Sequence, residues 1–397
     1  EHLRILELLG VGHGVVALTK SAVAAPDLVE LARLEVEERV ADTFLEGVPV
    51  VATDAPAKLG LDELREALDD LLTTVPVAED RGRPRLWVDR VFAARGAGTV
   101  VTGMLTDGVL RVGDEVEVQP AGVGARIRAL QNHHEEREEL PPGTRCALNL
   151  VGVAHTQVQR GDVVVGPGQW HLATVVDASL RVLDQLDHSV SRRGAHVAYL
   201  GAGEHPVRMR ILGPEALKPG GEGSVRLFLP RSLPLLPGDR FVLRESGRSE
   251  TVGGGCVLDV DPRERASRAR PDRSVDRVVR ERGWVSSDEL ERLTGERREP
   301  DVGQWVVDPE ALQTTLAGLR EALDESGPLG VELSSLDDYQ RAAAVLLDEA
   351  TVDGGRLRVA DAADPLVDHP FVAALEATPF APPAPDGVDR VELRELV

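Results

Sequence analysis

The stretch Asp89–Val118, DRVFAARGAGTVVTGMLTDGVLRVGDEVEV, constrains the fold of this chain more than any other part of the sequence. It contains short apolar runs separated by glycine turns, and valines alternate with acidic residues after the turn at Gly113-Asp114. Period-two alternation beside a Gly-Asp turn is typical of small antiparallel barrels. The sequence therefore predicts three short β-strands of a barrel in this stretch.

Length and composition limit the kinds of protein that the chain can be. Its 397 residues predict roughly two to four domains. The net charge of −22 argues against nucleic-acid binding through a diffuse positive field, but it leaves a local basic pocket open. The two cysteines form no CxxC pair, and no apolar run is long enough to span a membrane. We therefore expect a cytoplasmic monomer without a membrane segment.

The apolar pattern changes several times along the chain and predicts a multidomain protein. Residues 1–78 alternate helix and strand, with buried strands expected at 14–18 and 48–53, which favours a parallel α/β sheet. Residues 85–171 complete the first barrel. Strand signals separated by Pro-Gly turns predict a second all-β unit over residues 172–262.

The C-terminal part of the chain, from residue 263, changes to a helical pattern. Ser286–Glu289 matches a capping box, and two helices followed by a hairpin at Trp305–Val307 predict a winged helix. A second such unit would contain a helix at Ser335–Asp348 and a hairpin at Gly355–Val359. The expected units are 263–326, 327–385 and a truncated third at 386–397. Because the chain starts and stops inside helical patterns, we expect a fragment with both ends missing.

Thr19-Lys20, at the end of the first expected strand, resembles the guanine-recognition motif [NT]KxD of GTPases. In that motif the aspartate accepts two hydrogen bonds from the guanine edge. The corresponding position here is Ala22, so the pair is a weak guanine candidate, and an ordinary strand end is the alternative. The phosphate-binding pattern GxxxxGK[ST] does not occur in the sequence. We therefore expect this fragment neither to bind GTP well nor to hydrolyse it.

A set of charged residues interrupts the apolar strands of the first barrel. Asp89 and Arg90 stand together in an otherwise apolar strand, and Arg145 opens another strand. The residues alone leave two interpretations open, namely solvated side chains on the outer face or a functional set. The arginine-rich run at 263–273 is interleaved with acidic residues, and this favours a solvated linker over an RNA contact.

Several segments resemble one known family. Asp89–Val118, with PGTRCALNL at 142–150 and QRGDV at 159–163, resembles the barrel that follows the GTPase domain in translation factors. Three segments of the second all-β unit resemble the third domain of selenocysteine-specific elongation factors: RMRIL at 208–212, PGDRFVLR at 237–244 and TVGGGCVLD at 251–259. Winged helices after that domain are also typical of this family.

The resemblance implies a fold, a function and a set of site residues. The fold would be a partial α/β P-loop GTPase domain, two antiparallel β-barrels and helical winged-helix domains. The function would be GTP-dependent delivery of selenocysteinyl-tRNA to the ribosome at recoded UGA codons, while winged helices bind a hairpin in the selenoprotein mRNA. GTP with Mg²⁺ would serve the full-length parent. The implied contacts are Asp89, Arg90 and Arg145 for the selenocysteinyl end, and Thr19 and Lys20 weakly for guanine, with no catalytic or metal-binding residue.

Two alternatives to this function remain open. One is another translational GTPase, of the elongation factor Tu or initiation factor 2 gamma type, and the helical C-terminal region argues against elongation factor Tu. The other is a non-enzymatic RNA-binding or protein-binding module built from barrels and winged helices. Upstream coding sequence with GHVDHGKT and DxPGH motifs would favour a GTPase.

Overall fold

The computed structural model describes residues 1–94, 98–360 and 369–378, together with residues 380, 381, 384 and 388. The described residues form two compact units, the first comprising residues 1–273 with 292–295 and the second the remainder. Residues 386–397, where a third winged helix was expected, lie outside the described residues apart from residue 388. No helix in the described part of the chain is long and apolar enough to cross a membrane.

The first 75 residues form a small α/β layer. Its elements are α1 (His2–Leu8), β1 (Val16–Leu18), α2 (Pro26–Val40), β2 (Val50–Ala52) and α3 (Leu61–Thr74). β1 and β2 pair in parallel, which confirms the expected sheet type. The prediction that these strands are buried was wrong: they are half-exposed, because the sheet has only two strands. Leu28, Leu31 and Leu34 of α2 are each more than half exposed.

Residues 85–165 form a closed antiparallel barrel. Its strands are β3 (Arg85–Ala94), β4 (Gly98–Thr106), β5 (Leu110–Arg111), β6 (Glu115–Gln119), β7 (Val123–Asn132), β8 (Glu135–Arg137), β9 (Glu139–Leu140), β10 (Arg145–Val151) and β11 (Val163–Val165). Six strands close it in the order β10-β4-β3-β11-β6-β7, and β7 pairs back to β10. Asp89–Val118 contributes three strands to this barrel as predicted, namely part of β3, β4 and β6, while the short strand β5 pairs with β9 outside it.

The burial pattern of these strands explains why the alternating sequence closes into a barrel. Along β4, Val101 and Leu105 are fully buried, whereas Thr102 and Met104 face outward. The Gly113-Asp114 turn forms as expected, because Gly113 has a φ of 96°. Inward side chains of the six strands thereby fill one apolar core.

The second barrel has its own set of strands. They are β12 (Leu172–Val182), β13 (Val190–Ser191), β14 (His196–Leu200), β15 (Gly203–Leu212), β16 (Ala216–Leu217), β17 (Glu222–Pro234), β18 (Arg240–Glu245) and β19 (Glu250–Asp259). Six of them close in the order β12-β17-β15-β14-β18-β19. The helix α1 packs on β18 and β19 of this barrel, and Arg240 Nη1 donates a hydrogen bond to Leu8 O at 3.4 Å.

Arg85 joins the two barrels through a buried ion pair. Its Nη1 and Nη2 donate to the two carboxylate oxygens of Asp239 at 2.6 and 2.7 Å, and its Nε donates to Asp107 at 3.1 Å. Burial alone would lower the pKa of Arg85, but the carboxylates of Asp239 and Asp107 raise it. The guanidinium therefore stays charged, and its partners come from both barrels.

Close packing beside this ion pair fixes how the barrels meet. Gly201, in the turn between β14 and β15, has a φ of 54°, and a Cβ there would lie 2.1 Å from Cδ2 of Trp87. Arg231 of the second barrel donates hydrogen bonds to Asp162 Oδ1 and Gly161 O of the first, each at 2.6 Å. A side chain at position 201 would push the barrels apart.

The described residues of the helical region form five α-helices and five strands. They are α4 (Val275–Arg282), β20 (Trp284–Ser286), α5 (Ser287–Thr294), β21 (Trp305–Val307), α6 (Pro309–Ser326), β22 (Val331–Glu332), α7 (Asp338–Ala344), β23 (Ala350–Asp353), β24 (Arg356–Val359) and α8 (Pro370–Ala377). Residues from both expected winged helices share one core, which includes Leu319, Ala343 and Leu357. Trp284 of this core stacks on the more exposed Tyr339, with ring centroids 5.3 Å apart.

Several local predictions in this region can be compared with the structure. The β23–β24 pair confirms the hairpin near Gly355–Val359. Ser286 Oγ accepts a hydrogen bond from Glu289 N at 3.2 Å, as a capping residue does. The hairpin prediction at Trp305–Val307 was wrong, because this strand pairs with β20 across α5. The helix expected at Ser335–Asp348 is shorter, since Asp337 caps α7 by accepting from Gln340 N at 2.8 Å.

Asp239→Asn is expected to uncouple the two barrels. Removing one charge of a buried pair costs about 3 kcal/mol, because Arg85 is then left without its main partner. In urea, the fluorescence of Trp87 and Trp170, which both lie near Arg85, should change before the circular dichroism of the strands.

Asp177→Asn is the matched control for that experiment. Asp177 accepts two hydrogen bonds from Arg226 at 2.6 and 2.8 Å, and both residues lie within the second barrel. This variant should lose similar stability while its fluorescence and circular dichroism transitions coincide. Coincident transitions in Asp239→Asn would contradict the proposed coupling.

His205 is expected to make the first unit sensitive to acid. Burial, with a smaller effect from Arg231, lowers the pKa of His205 to about 4, and Nε2 has no hydrogen-bond partner in the described structure. As the pH falls below about 6.5, the unfolded chain binds a proton that the folded chain excludes. Between pH 7 and pH 5 the wild type should therefore lose up to about 2 kcal/mol more stability than His205→Gln. Equal losses in urea unfolding would refute this assignment.

Candidate functional site in the first barrel

A β-bulge at Asp89 shapes the polar set on the first barrel. Val88 pairs with Gly103 and Arg90 pairs with Thr102, so Asp89 has no partner on β4. A bulge of this kind inserts one residue and re-aims the side chains around it. As a result, Asp89 and Arg90 both lie on the outer face of the barrel, although they are consecutive in sequence.

The core of the barrel requires this bulge. Leu86 and Val88 are fully buried, and Val91 packs against the same core. The inward positions of β3 are therefore spaced by two residues and then by three. Under strict period-two alternation Arg90 would point inward and Val91 outward. The extra residue restores Val91 to the core and brings Arg90 to the surface.

Gly103 makes room for the bulged strand. A Cβ at this position would lie 2.1 Å from Trp87 O and 2.8 Å from a methyl carbon of Leu86. Any side chain would collide with the neighbouring backbone, so only glycine allows β3 and β4 to approach here. The glycine thus has a packing role beside the site.

The structure brings Asp89 and Arg145 into direct contact. Arg145 is the first residue of β10, and its Nη1 donates a hydrogen bond to Asp89 Oδ2. Asn132 Nδ2 donates to the carbonyl of Arg145 at 2.7 Å and so anchors the start of the strand. The side chain of Arg145 is 53% exposed and that of Asp89 is 23% exposed, so the pair is open to a ligand.

Asp89 is held as a carboxylate by its neighbours. Partial burial alone would raise the pKa of Asp89, but hydrogen bonds from Arg145 and Thr102, with the positive charge of Arg90, keep it below its ordinary value. Thr102 Oγ1 donates to Asp89 Oδ1 at 2.6 Å. Both oxygens of the carboxylate are therefore occupied by donors, one from β4 and one from β10.

Arg90 completes the set and supplies its surplus charge. It is exposed, and it forms no ion pair with any residue that the structure describes. Arg90 and Arg145 together carry two positive charges against one negative charge on Asp89. The set is therefore cationic by one unit, and guanidinium groups with open donors suit an anionic ligand.

Cys146 follows Arg145 but takes no part in the set. Its side chain points into the barrel core, where only 3% of the residue is exposed. Burial raises the pKa of the Cys146 thiol to about 12, despite the nearby Arg145 charge. The thiol is therefore neutral at physiological pH and is no nucleophile here.

The guanine candidates lie elsewhere, at one edge of the α/β layer. Thr19 and Lys20 directly follow β1, both are exposed, and Lys20 has a left-handed φ of 63°. Ser21 N donates to Thr53 O at 3.1 Å, so the loops after β1 and β2 lie side by side. Ala22, which follows Ser21, offers no acceptor side chain. Among the described residues, no cluster of His, Cys, Asp or Glu is suited to hold a metal ion.

Two residues of the polar set were missed from the sequence. Thr102 and Asn132 contact Asp89 and Arg145 through hydrogen bonds that join neighbouring strands. The spacing of the apolar residues 86, 88 and 91, first two and then three positions, could have predicted the bulge. A predicted bulge would in turn have indicated Thr102, which lies on the facing strand β4.

Comparisons with known proteins identify both barrels. The family model for elongation factor Tu domain 2 matches residues 98–165, and the model for the β-barrel domain of selenocysteine-specific elongation factor matches residues 178–264. The selenocysteine-specific elongation factor of Desulfomicrobium baculatum is 35% identical over 259 residues, which are 65% of this chain and 41% of that protein. The chain thus spans less than half the length of that relative.

Further similarities extend to another relative and to solved structures. Elongation factor Tu 2 of Streptomyces avermitilis is 34% identical over 283 residues, which are 66% of this chain and 70% of that protein. The crystal structure of a bacterial selenocysteine-specific elongation factor, EF-Sec, has a TM-score of 0.75 at 20% identity and covers 95% of this chain and 66% of that chain. Apo SelB from Methanococcus maripaludis has a TM-score of 0.58 at 21% identity, over 66% of this chain and 61% of that chain.

The structural matches show the same multidomain translation-factor fold, and the sequence matches carry the family assignment. The first barrel matches an elongation factor Tu model and the second matches a selenocysteine-specific elongation factor model, in the expected order along the chain. The chain belongs to the translational GTPases of the elongation factor Tu type and is SelB-like among them.

Proposed function

We propose that this chain is part of the machinery that delivers selenocysteinyl-tRNA to the ribosome at recoded UGA codons. The supporting observation is the cationic set formed by Asp89, Arg90 and Arg145 on the outer face of the first barrel. The relative from Desulfomicrobium baculatum is named for selenocysteine specificity, which agrees with this proposal. The aminoacyl end of the tRNA would bind at this set.

Charge is the physical basis of the proposed specificity. A selenol ionises more readily than a thiol and is a selenolate at neutral pH, whereas the hydroxyl of serine is neutral. The guanidinium groups of Arg90 and Arg145 would form charge-assisted hydrogen bonds with the selenolate. Asp89 would orient Arg145 and limit the net positive charge of the set.

GTP is the proposed cofactor of the full-length parent, with Mg²⁺ bound to its phosphates. Thr19 and Lys20 would contribute weakly to guanine binding, since they lie beside the loop at Thr53. The sequence has no GxxxxGK[ST] pattern to hold phosphates. We therefore expect this chain by itself to bind GTP poorly and not to hydrolyse it, which a titration with a fluorescent GTP analogue would measure.

The helical region is proposed to contact RNA in the complete factor. The described parts of residues 263–326 and 327–385 would belong to winged-helix units, and such units would tether the factor to a hairpin of the selenoprotein mRNA. The α/β layer over 1–78 would be the rear part of a GTPase domain that contacts the ribosome. The proposed location is the cytoplasm and the proposed state is a monomer.

A second candidate function is that of a general elongation factor. The 34% identity to elongation factor Tu 2, over 70% of that protein, favours it. A general factor would bind many aminoacyl-tRNAs with similar affinity. The cationic set favours the selenocysteine-specific function, because an excess positive charge offers no benefit to neutral aminoacyl groups.

Arg145→Ala should weaken binding of selenocysteinyl-tRNA by about tenfold or more, because a charge-assisted hydrogen bond is worth roughly 1.5–3 kcal/mol. Binding of seryl-tRNA should change by less than about twofold, since its hydroxyl carries no charge. Dissociation constants can be measured from the protection of each aminoacyl ester against hydrolysis.

Arg128→Ala is the matched control, because Arg128 is an exposed arginine on β7 of the same barrel. Arg128→Ala should weaken the binding of both tRNAs equally or leave both affinities unchanged. Equal losses for both tRNAs in Arg145→Ala would exclude the proposed pocket, and equal wild-type affinities for all aminoacyl-tRNAs would favour the general factor.

A further inference from the structure

Thr102 lies between the three charged residues of the polar set, Asp89, Arg90 and Arg145, and has no assigned role. It is in the middle of β4, where it pairs with Arg90 on β3 and with Ala147 on β10. Its side chain faces outward and is half-buried. Thr102 is therefore the residue of the central strand that lies between the two strands carrying the charged groups.

The hydroxyl of Thr102 holds the carboxylate of Asp89. Thr102 Oγ1 donates to Asp89 Oδ1 at 2.6 Å, while Arg145 Nη1 donates to the other oxygen. Asp89 is the bulged residue and has no partner on β4 to fix its backbone. Its side chain is therefore positioned by these two donors, one from β4 and one from β10.

This arrangement controls how Arg145 is presented. With Oδ1 occupied by Thr102, Asp89 offers one oxygen to Arg145, and the contact between them is through one guanidinium nitrogen. A guanidinium has five N–H donors, so most of them remain available to a ligand. If Asp89 were free to rotate, both of its oxygens would be open to Arg145, and a bidentate pair would occupy more of these donors.

We propose that Thr102 is a positioning residue that sets the selectivity of the aminoacyl site by fixing Asp89, and through it Arg145. This inference rests on the proposed function, because the selectivity in question is that for an anionic aminoacyl group. Thr102 itself does not touch the ligand. Loss of the Thr102 hydroxyl should weaken binding of the anionic aminoacyl group and leave the contacts with the rest of the tRNA unaffected.

Thr102→Val removes the hydroxyl and keeps the shape of the side chain, and Thr102→Ser keeps the hydroxyl. The measurement is the ratio of the dissociation constants for seryl-tRNA and selenocysteinyl-tRNA, obtained from ester protection. Thr102→Val should lower this ratio by about fivefold to tenfold, as expected for the loss of a hydrogen bond to a charged group. Thr102→Ser should keep the ratio within about twofold of the wild-type value, because serine retains the hydroxyl. If the methyl group of Thr102 had the important role, Thr102→Ser would change the ratio as well.

Thr106→Val is the matched control on the same strand. Thr106 Oγ1 donates to Asp107 at 2.6 Å, so this variant also removes a hydroxyl bond to a carboxylate, but near the contact between the barrels. It should lower the melting temperature without changing the ratio. Thr102→Ala is a second hydroxyl-free variant and should give the same loss of selectivity as Thr102→Val.

The outcomes separate this inference from the proposed function. If the wild type does not prefer selenocysteinyl-tRNA, the proposed function fails, and the inference fails with it. If the wild type has the preference and Arg145→Ala loses it, but both hydroxyl-free variants retain it, the positioning role of Thr102 is wrong while the function stands. Failure of Thr102→Ser to retain the ratio would also overturn the positioning role.

Discussion

The core of the first barrel and its polar set both depend on which residues of β3 face inward. Leu86, Val88 and Val91 must all enter the core, although their spacing changes from two residues to three. A regular strand would place the guanidinium of Arg90 in this apolar interior, and an unpaired buried charge costs several kcal/mol. The bulge at Asp89 avoids that cost and brings two charged side chains to the same outer surface.

The same strand also determines where this surface lies relative to the second barrel. Arg85 and Trp87 point outward near the start of β3, and both are covered by the second barrel. Asp89 and Arg90 follow on the same face beyond this cover. A buried ion pair adds little net stability, yet breaking it leaves a charge without a partner. The Arg85–Asp239 pair therefore mainly holds the two barrels in one relative orientation. Because the polar set lies on the first barrel, this orientation also fixes its position relative to the second barrel.

The sequence predicted those features that depend on local pattern. Alternating valines and the Gly113-Asp114 turn were sufficient for the first barrel, and the parallel pairing of β1 with β2 followed from apolar strands between helices. Three-residue strands carry too little pattern to choose a partner, which is why Trp305–Val307 was assigned to the wrong pairing. Burial of β1 and β2 was overestimated, because apolar composition does not reveal how many strands lie beside them.

The contacts of the polar set were harder to predict, since they join residues that are far apart in sequence. Asp89 and Arg145 are separated by 56 positions, and they meet because β4 pairs with β3 on one side and with β10 on the other. The chain as a whole carries a charge of −22, so its average field repels an anion. At physiological ionic strength, charges more than about 8 Å apart are largely screened, and the surplus positive charge acts only near contact. The anion recognition proposed for Arg90 and Arg145 must therefore depend on the position of a few atoms and not on long-range attraction. Neighbours such as Thr102 and Asn132 would gain their importance from that requirement.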